Sequence, residues 1–168
     1  MSKNYFYEII FSRIALIIFV IAMFLIVGVI KQPPATVAVP TVEDTSTKLI
    51  LPNGLTIKTE VVDTPELKSE GLSGRDSLGE QESMLFVFES EGYHDFWMLD
   101  MHFAIDMIWM DEEYKIVDIT KDARPMPDLA IEELPRYRSV VPAQYILEVN
   151  SGFSARYNLQ VGDKLKLT

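Results

Sequence analysis

Three charged side chains sit inside otherwise apolar segments of this chain. They are Arg75 at the end of Gly71-Leu72-Ser73-Gly74-Arg75, Asp106 between Ile105 and Met107, and Glu148 after Tyr145-Ile146-Leu147. A charge that folds into such surroundings needs a partner, because desolvation costs more than an isolated ion recovers. One arginine with two carboxylates can build a catalytic site in which one carboxyl tunes the other as acid or base. The same three residues can equally form a closed structural network around a bidentate Arg–carboxylate pair. The structural reading is preferred here, and Asp106, Glu148 and Arg75 are the catalytic candidates if the alternative, a small hydrolase, holds.

A second cluster surrounds Trp97. His94, Asp95, Asp100 and His102 carry metal-ligand chemistry, but the histidines are eight residues apart and make no His-x-His or His-x-x-x-His pair. No metal and no cofactor is expected. Ser73 misses the Gly-x-Ser-x-Gly nucleophile elbow at its last position. The chain has no cysteine and no phosphate-cradling glycine loop, so thiol chemistry, disulfides, lipoprotein attachment and nucleotide hydrolysis are unsupported. Between Phe96 and Met110 the chain is rich in aromatic and methionine side chains. Strand alternation would send about half of them to the core. Those left outside would mark a binding face, with Trp97, Asp100 and Trp109 as its candidates. Trp97 falls in a segment with strand alternation, so a buried ring is the competing expectation for it.

The elements that must position these groups are mostly short strands. Lys48–Leu51, the Pro52-Asn53-Gly54 turn and Leu55–Val62 read as a hairpin. Thr64-Pro65-Glu66 has the form of a helix start, and Gly71 is placed to end that helix. Further strand-length runs are Met84–Phe88, Asp95–Leu99, Ala104–Met110, Lys115–Ile119, Gln144–Val149 and Lys164–Leu167. Asp122–Arg136, with three prolines, reads as a long loop.

Taken in order, several pieces resemble one known family. They are Gly71–Arg75, Met84–Phe88, Phe96-Trp97-Met98, Ile105-Asp106, Ile116-Val117, Pro142–Glu148 with Gly152, and Val161-Gly162-Asp163. Their order and spacing are similar to those of the domain of unknown function 192 family, also called uncharacterised protein family 0127. The resemblance covers nearly all of residues 48–168 and implies a compact, mostly β, barrel-like domain, often exported or membrane-anchored. It supplies no reaction. Two departures stand out. Trp97-Met98-Leu99-Asp100-Met101 replaces the usual Trp-Met-Lys-Asn-Thr, and Ala104-Ile105-Asp106 replaces Pro-Leu-Asp. The first removes polar groups from the most polar stretch of the pattern.

The N-terminus sets location. Ile14–Ile30 is a seventeen-residue run without a charged or polar side chain, bounded by Arg13 and Lys31. As a helix it would span roughly 26 Å, which snorkelling of those two charges extends towards the bilayer core thickness. Basic residues predominate before it, so residues 1–13 should stay in the cytoplasm and the rest should lie outside. Residues 31–47, with three prolines, read as a linker. A cleaved signal peptide, giving a secreted domain, is the alternative to a retained signal anchor. Beyond Lys31 there are 12 Lys and Arg against 24 Asp and Glu, a net charge of −12. That surface disfavours nucleic acid as a partner.

The expected fold class is therefore mainly β with some α. A compact barrel-like domain with one or two short helices over residues 48–168 follows a single transmembrane helix over residues 14–30. The expected function is a membrane-anchored, extracytoplasmic, non-catalytic binding or accessory module. Its partners would be the cytoplasmic membrane through residues 14–30 and an envelope protein or polymer.

Overall fold

A computed structural model describes residues 47–168; the signal anchor and most of the linker expected from the sequence lie outside the described residues. No helix among the described residues is long and apolar enough to cross a membrane.

Seven strands form one mixed sheet: β1 (Thr47–Ile50), β2 (Thr56–Val62), β3 (Glu82–Gly92), β4 (Ile105–Met110), β5 (Ile116–Ala123), β6 (Ala143–Asn150) and β7 (Lys166–Leu167). Their order is β5-β4-β6-β3-β2-β1-β7, antiparallel throughout except for the parallel pair β2–β3. The hairpin β1–β2 turns where Asn53-Gly54 requires it. Gly54 takes φ +84° and its N–H donates to the Leu51 carbonyl, while the Asn53 side chain accepts from Leu55 N–H at 3.0 Å.

The sheet curls into a half-barrel. At one end its two edges meet: Lys115 bridges Lys164, Ile116 N–H donates to the Asp163 carbonyl at 2.7 Å, and Leu165 N–H donates to the Tyr114 carbonyl at 3.0 Å. This stitching covers backbone groups that an open edge strand would leave unpaired.

Both faces of the sheet are buried, so the central strands read as continuous apolar runs rather than as alternation. Every residue of β4 is buried. One face packs Leu49, Ile57, Leu85, Ile108, Leu147 and Val149 against Phe153, Leu159 and Leu165 of the C-terminal segment. The other packs Met84, Phe86, Met107, Trp109 and Ile146 against Leu72, Met98 and Met101.

The parallel pair requires a crossover, and residues 63–81 supply it. They carry helix α1 (Pro65–Glu70), capped by Thr64 Oγ1 accepting from Leu67 N–H and started by a proline at its first turn. Helix α1 buries none of its own residues; Gly71 and Leu72, just beyond it, are buried. A second short helix, α2 (Phe153–Arg156), follows β6.

Two expected elements differ. Asp95–Leu99 is not a strand: only Phe96 pairs, in an isolated bridge with Tyr137. Side-chain bonds hold the segment at both ends, Asp95 to Arg138 and the Leu99 carbonyl to Ser73. The loop expected from Asp122 starts later, because β5 continues to Ala123. It contains one 3-10 turn at Ile131–Glu133 and is fastened by Val140 N–H donating to Asp118 Oδ2 at 3.0 Å.

Candidate functional site

The end of α1, strand β3 and the irregular segment 95–101 enclose a cleft of about 320 Å³ over the second sheet face. Gly71 makes the cleft possible. Its φ of +53° and ψ of −132° turn the chain sharply out of α1, a conformation that L side chains avoid. A Cβ there would sit 3.3 Å from the Phe86 ring.

Phe86, Phe88 and Phe96 wall the cleft. Phe86 and Phe96 meet edge to face, with centroids 4.9 Å apart, and Phe96 meets the core ring of Trp109 in the same way at 5.4 Å. Such perpendicular contacts fix ring orientation as well as burying area. Met101, where the resemblance expects threonine, also lines the cleft and makes it more apolar. Lys68, Ser69, Glu70, Ser73, Asp95 and Trp97 stand around it.

Glu148 is the buried carboxyl in this mixed lining. It lies on β6 directly between Met84 of β3 and Met107 of β4, neither of which offers a hydrogen-bond donor. Its exposure is 5%, no hydrogen bond from the described residues reaches its carboxyl, and the carboxyl opens on the cleft. Burial pushes its carboxyl up to about 8, against a weaker opposing pull from the Arg75 charge. At neutral pH it is predominantly the neutral acid. In that form it can donate a hydrogen bond; ionised, it can exchange a proton or balance the charge of a bound cation.

The three charges read together from the sequence do not come together. Arg75 pairs with Glu60 instead, through bonds of 2.8 and 3.0 Å, and both side chains are substantially exposed. The fork-shaped contact lowers the Glu60 carboxyl and raises Arg75. Asp106 and Glu148 stand on opposite faces of the sheet. Asp106 pairs in register with Val149 and Glu148 with Met107, and alternation separates the two sets. Asp106 is spent on backbone donors: Oδ1 accepts from Asp122 at 3.0 Å and from Gly152 at 3.2 Å, and Oδ2 accepts from Ser154 at 3.0 Å. It ties β4 to the end of β5 and the start of α2, which is a structural task. The buried Arg75–carboxylate pair expected from the sequence is thus replaced by a surface pair and a backbone anchor.

The binding candidates divide similarly. Trp97 is 42% exposed at the cleft with the Arg136 guanidinium 3.6 Å from its ring centroid, so the buried ring that strand alternation suggested is not formed. Asp100 is exposed, takes φ +52°, and its carbonyl accepts Gly74 N–H at 2.8 Å. Trp109 is fully buried and donates its indole N–H to Thr120 Oγ1 at 3.1 Å; it is core.

His94 stacks on Phe88 and its Nε2 lies 3.1 Å from the Ala143 carbonyl. Burial lowers its pKa, so the ring is neutral and Nε2 carries the donated proton. His102 sits elsewhere, 3.3 Å from Asp76. Among the described residues no three His, Asp or Glu are grouped to hold a metal. Ser73 donates its hydroxyl to the Leu99 carbonyl at 2.8 Å and so pins segment 95–101 to the turn after α1. Sequence reading missed Lys68, Phe88 and Leu72. The crossover brings Lys68 and Leu72 to the cleft, and the β3–β6 pairing brings Phe88; neither is legible as such in the sequence.

The profile of the family described as Uncharacterized ACR (DUF192) matches residues 48–167. The chain belongs to this family. The resemblance carried by its motifs is thereby established, and segments of several motifs (Gly71–Ser73, Phe86 and Phe88, Phe96-Trp97 and Glu148) line the one cleft.

The DUF192 domain is similar to two solved structures. One, a proposed transcription regulator from Sinorhizobium meliloti 1021, is 26% identical with a TM-score of 0.63, covering 72% of this chain and 91% of that one. The other, a protein of unknown function from Novosphingobium aromaticivorans DSM 12444, is 24% identical with a TM-score of 0.63, covering 72% of this chain and 83% of that one. The second likeness concerns the fold alone. A comparison with curated proteins finds no match.

Proposed function

We propose that this DUF192 domain is a non-catalytic binding module of the cell envelope, tethered by residues 14–30 with the domain outside, and that the cleft over Glu148 is its binding site. The observation that supports the site is a built cavity with aromatic walls and a single buried carboxyl that no protein group satisfies. Small-ligand sites are concave and combine aromatic walls with placed polar groups, and this cleft is at the small end of their size range. Hydrolysis by Asp106, Glu148 and Arg75 gains no support, because no substrate atom could touch all three. The acidic balance of the domain argues against direct nucleic-acid binding.

Photo-cross-linking tests the reading. A photoreactive phenylalanine analogue replaces Trp97 in the full-length chain in intact membranes. An adduct with an envelope component is expected, and it should vanish when Ser69→Trp fills the mouth of the cleft. Adducts indifferent to that plug would overturn the site, and adducts with cytoplasmic components alone would overturn the location.

A further inference from the structure

We propose that the cleft binds an alkylammonium group on an apolar stem, with the Glu148 carboxylate as its counter-charge and the phenylalanine rings as its walls. This deepens the binding-module reading and rests on it.

The carboxyl opens on the cleft with no protein hydrogen-bond partner among the described residues, and the walls select a cation. Aromatic faces attract cations through their quadrupole, and more strongly where water is excluded. The molecule already uses its rings in this way. Lys68 Nζ lies 4.5 Å from the Phe88 centroid at the cleft, and the Arg136 guanidinium covers Trp97. Phe86 is buried against Phe96, and Phe88 already carries His94 and Lys68, so a ligand ammonium would pass the part-exposed rings of Phe88 and Phe96 and then meet Glu148.

The charges around Glu148 leave room for one more cation. From the crossover, Lys68 is engaged with Phe88, Glu70 is acidic, and Arg75 is held by Glu60. From segment 95–101, Asp95 is acidic and tied to Arg138 at 2.7 Å. Strands β3 and β4 present only methionines beside it. The acidic surface of the domain would draw cations towards the site.

Proton accounting gives the inference a signature. Glu148 holds its proton up to about pH 8, whereas an ammonium partner requires the carboxylate. Below pH 8 binding must therefore expel one proton: acid plus ammonium gives the carboxylate–ammonium pair and H⁺. The competent fraction falls tenfold per pH unit, so apparent affinity falls with it. A neutral hydrogen-bond acceptor would show the opposite sign, binding the acid form and weakening above pH 8.

The test is calorimetric titration of the full chain in lipid nanodiscs with n-butylammonium chloride at pH 6 and pH 9. About 100-fold weaker binding at pH 6, with about one proton released per ligand, is expected. Glu148→Gln should weaken binding at pH 9 and remove the pH dependence. Ser69→Trp, which leaves Glu148 in place, should block binding without touching the carboxyl.

Nα-acetyl-lysinamide and phosphoethanolamine distinguish the source. Tighter binding of the first assigns a polypeptide lysine, and of the second a lipid headgroup. Affinity that is flat with pH, that rises towards acid, or that survives Glu148→Gln would overturn the proposal. If butylammonium fails while the Trp97 adducts still vanish with the plug, the amine falls and the cleft stands. If both fail, the binding site falls with it.

Discussion

Glu148 and Asp106 are both buried carboxyls in neighbouring strands, yet their surroundings assign them opposite tasks. Asp106 meets three backbone N–H groups, and Glu148 meets methionines. Stability should follow. The folded-state pKa of Glu148 is raised from its ordinary value near 4.5 to about 8, so its contribution is fully present below pH 4.5. That contribution is lost as pH rises from 4.5 through 8, because the unfolded chain gives up this proton while the folded state keeps it. The loss is on the order of 5 kcal/mol. Chemical denaturation between pH 5 and 9 should show this fall, and Glu148→Gln should flatten it. Asp106→Ala should instead cost roughly 3–5 kcal/mol at neutral pH, because it strands buried donors at the ends of β5 and α2. A loss under about 0.5 kcal/mol would show those donors to be satisfied by water. Arg75, half-exposed with Glu60, is worth at most about 1 kcal/mol to the fold.

Among the elements, the crossover 63–81 carries the most consequence for the site. Its helix is held by its caps rather than by burial, and its exit at Gly71 shapes the wall of the cleft. Gly71→Ala is expected to destabilise the domain by roughly 2 kcal/mol, through backbone strain and pressure on Phe86. Thermal denaturation checks this, and an unchanged midpoint would mean that the turn relaxes without cost. The capped helix and the Asn53-Gly54 hairpin were legible in the sequence because each is specified by residues a few positions apart. Segment 95–101 was not. Its alternating apolar pattern suits a strand, but Ser73 and Arg138 hold it from outside while only Phe96 makes a β-bridge. Trp97 accordingly lies at the cleft rather than in the core.

At the scale of the whole molecule, the proposed location outside the cytoplasmic membrane rests on the charge bias around residues 14–30 alone. A reporter fused at Thr168 that is active only outside the cytoplasm is the expected result; activity confined to the cytoplasm would reverse the orientation. The sequence by itself determined the family, the mainly β class, the local turns and caps, and the identity of Glu148 as a charge in an apolar segment. These depend on residue type and short-range spacing, which the chain displays directly. It could not determine which charges meet. Arg75 finds Glu60 through the crossover, and Asp106 and Glu148 part company because strand pairing fixes a register that points them to opposite faces. Partners, faces and the cleft itself depend on contacts between residues distant in the chain, and only the tertiary structure decides those.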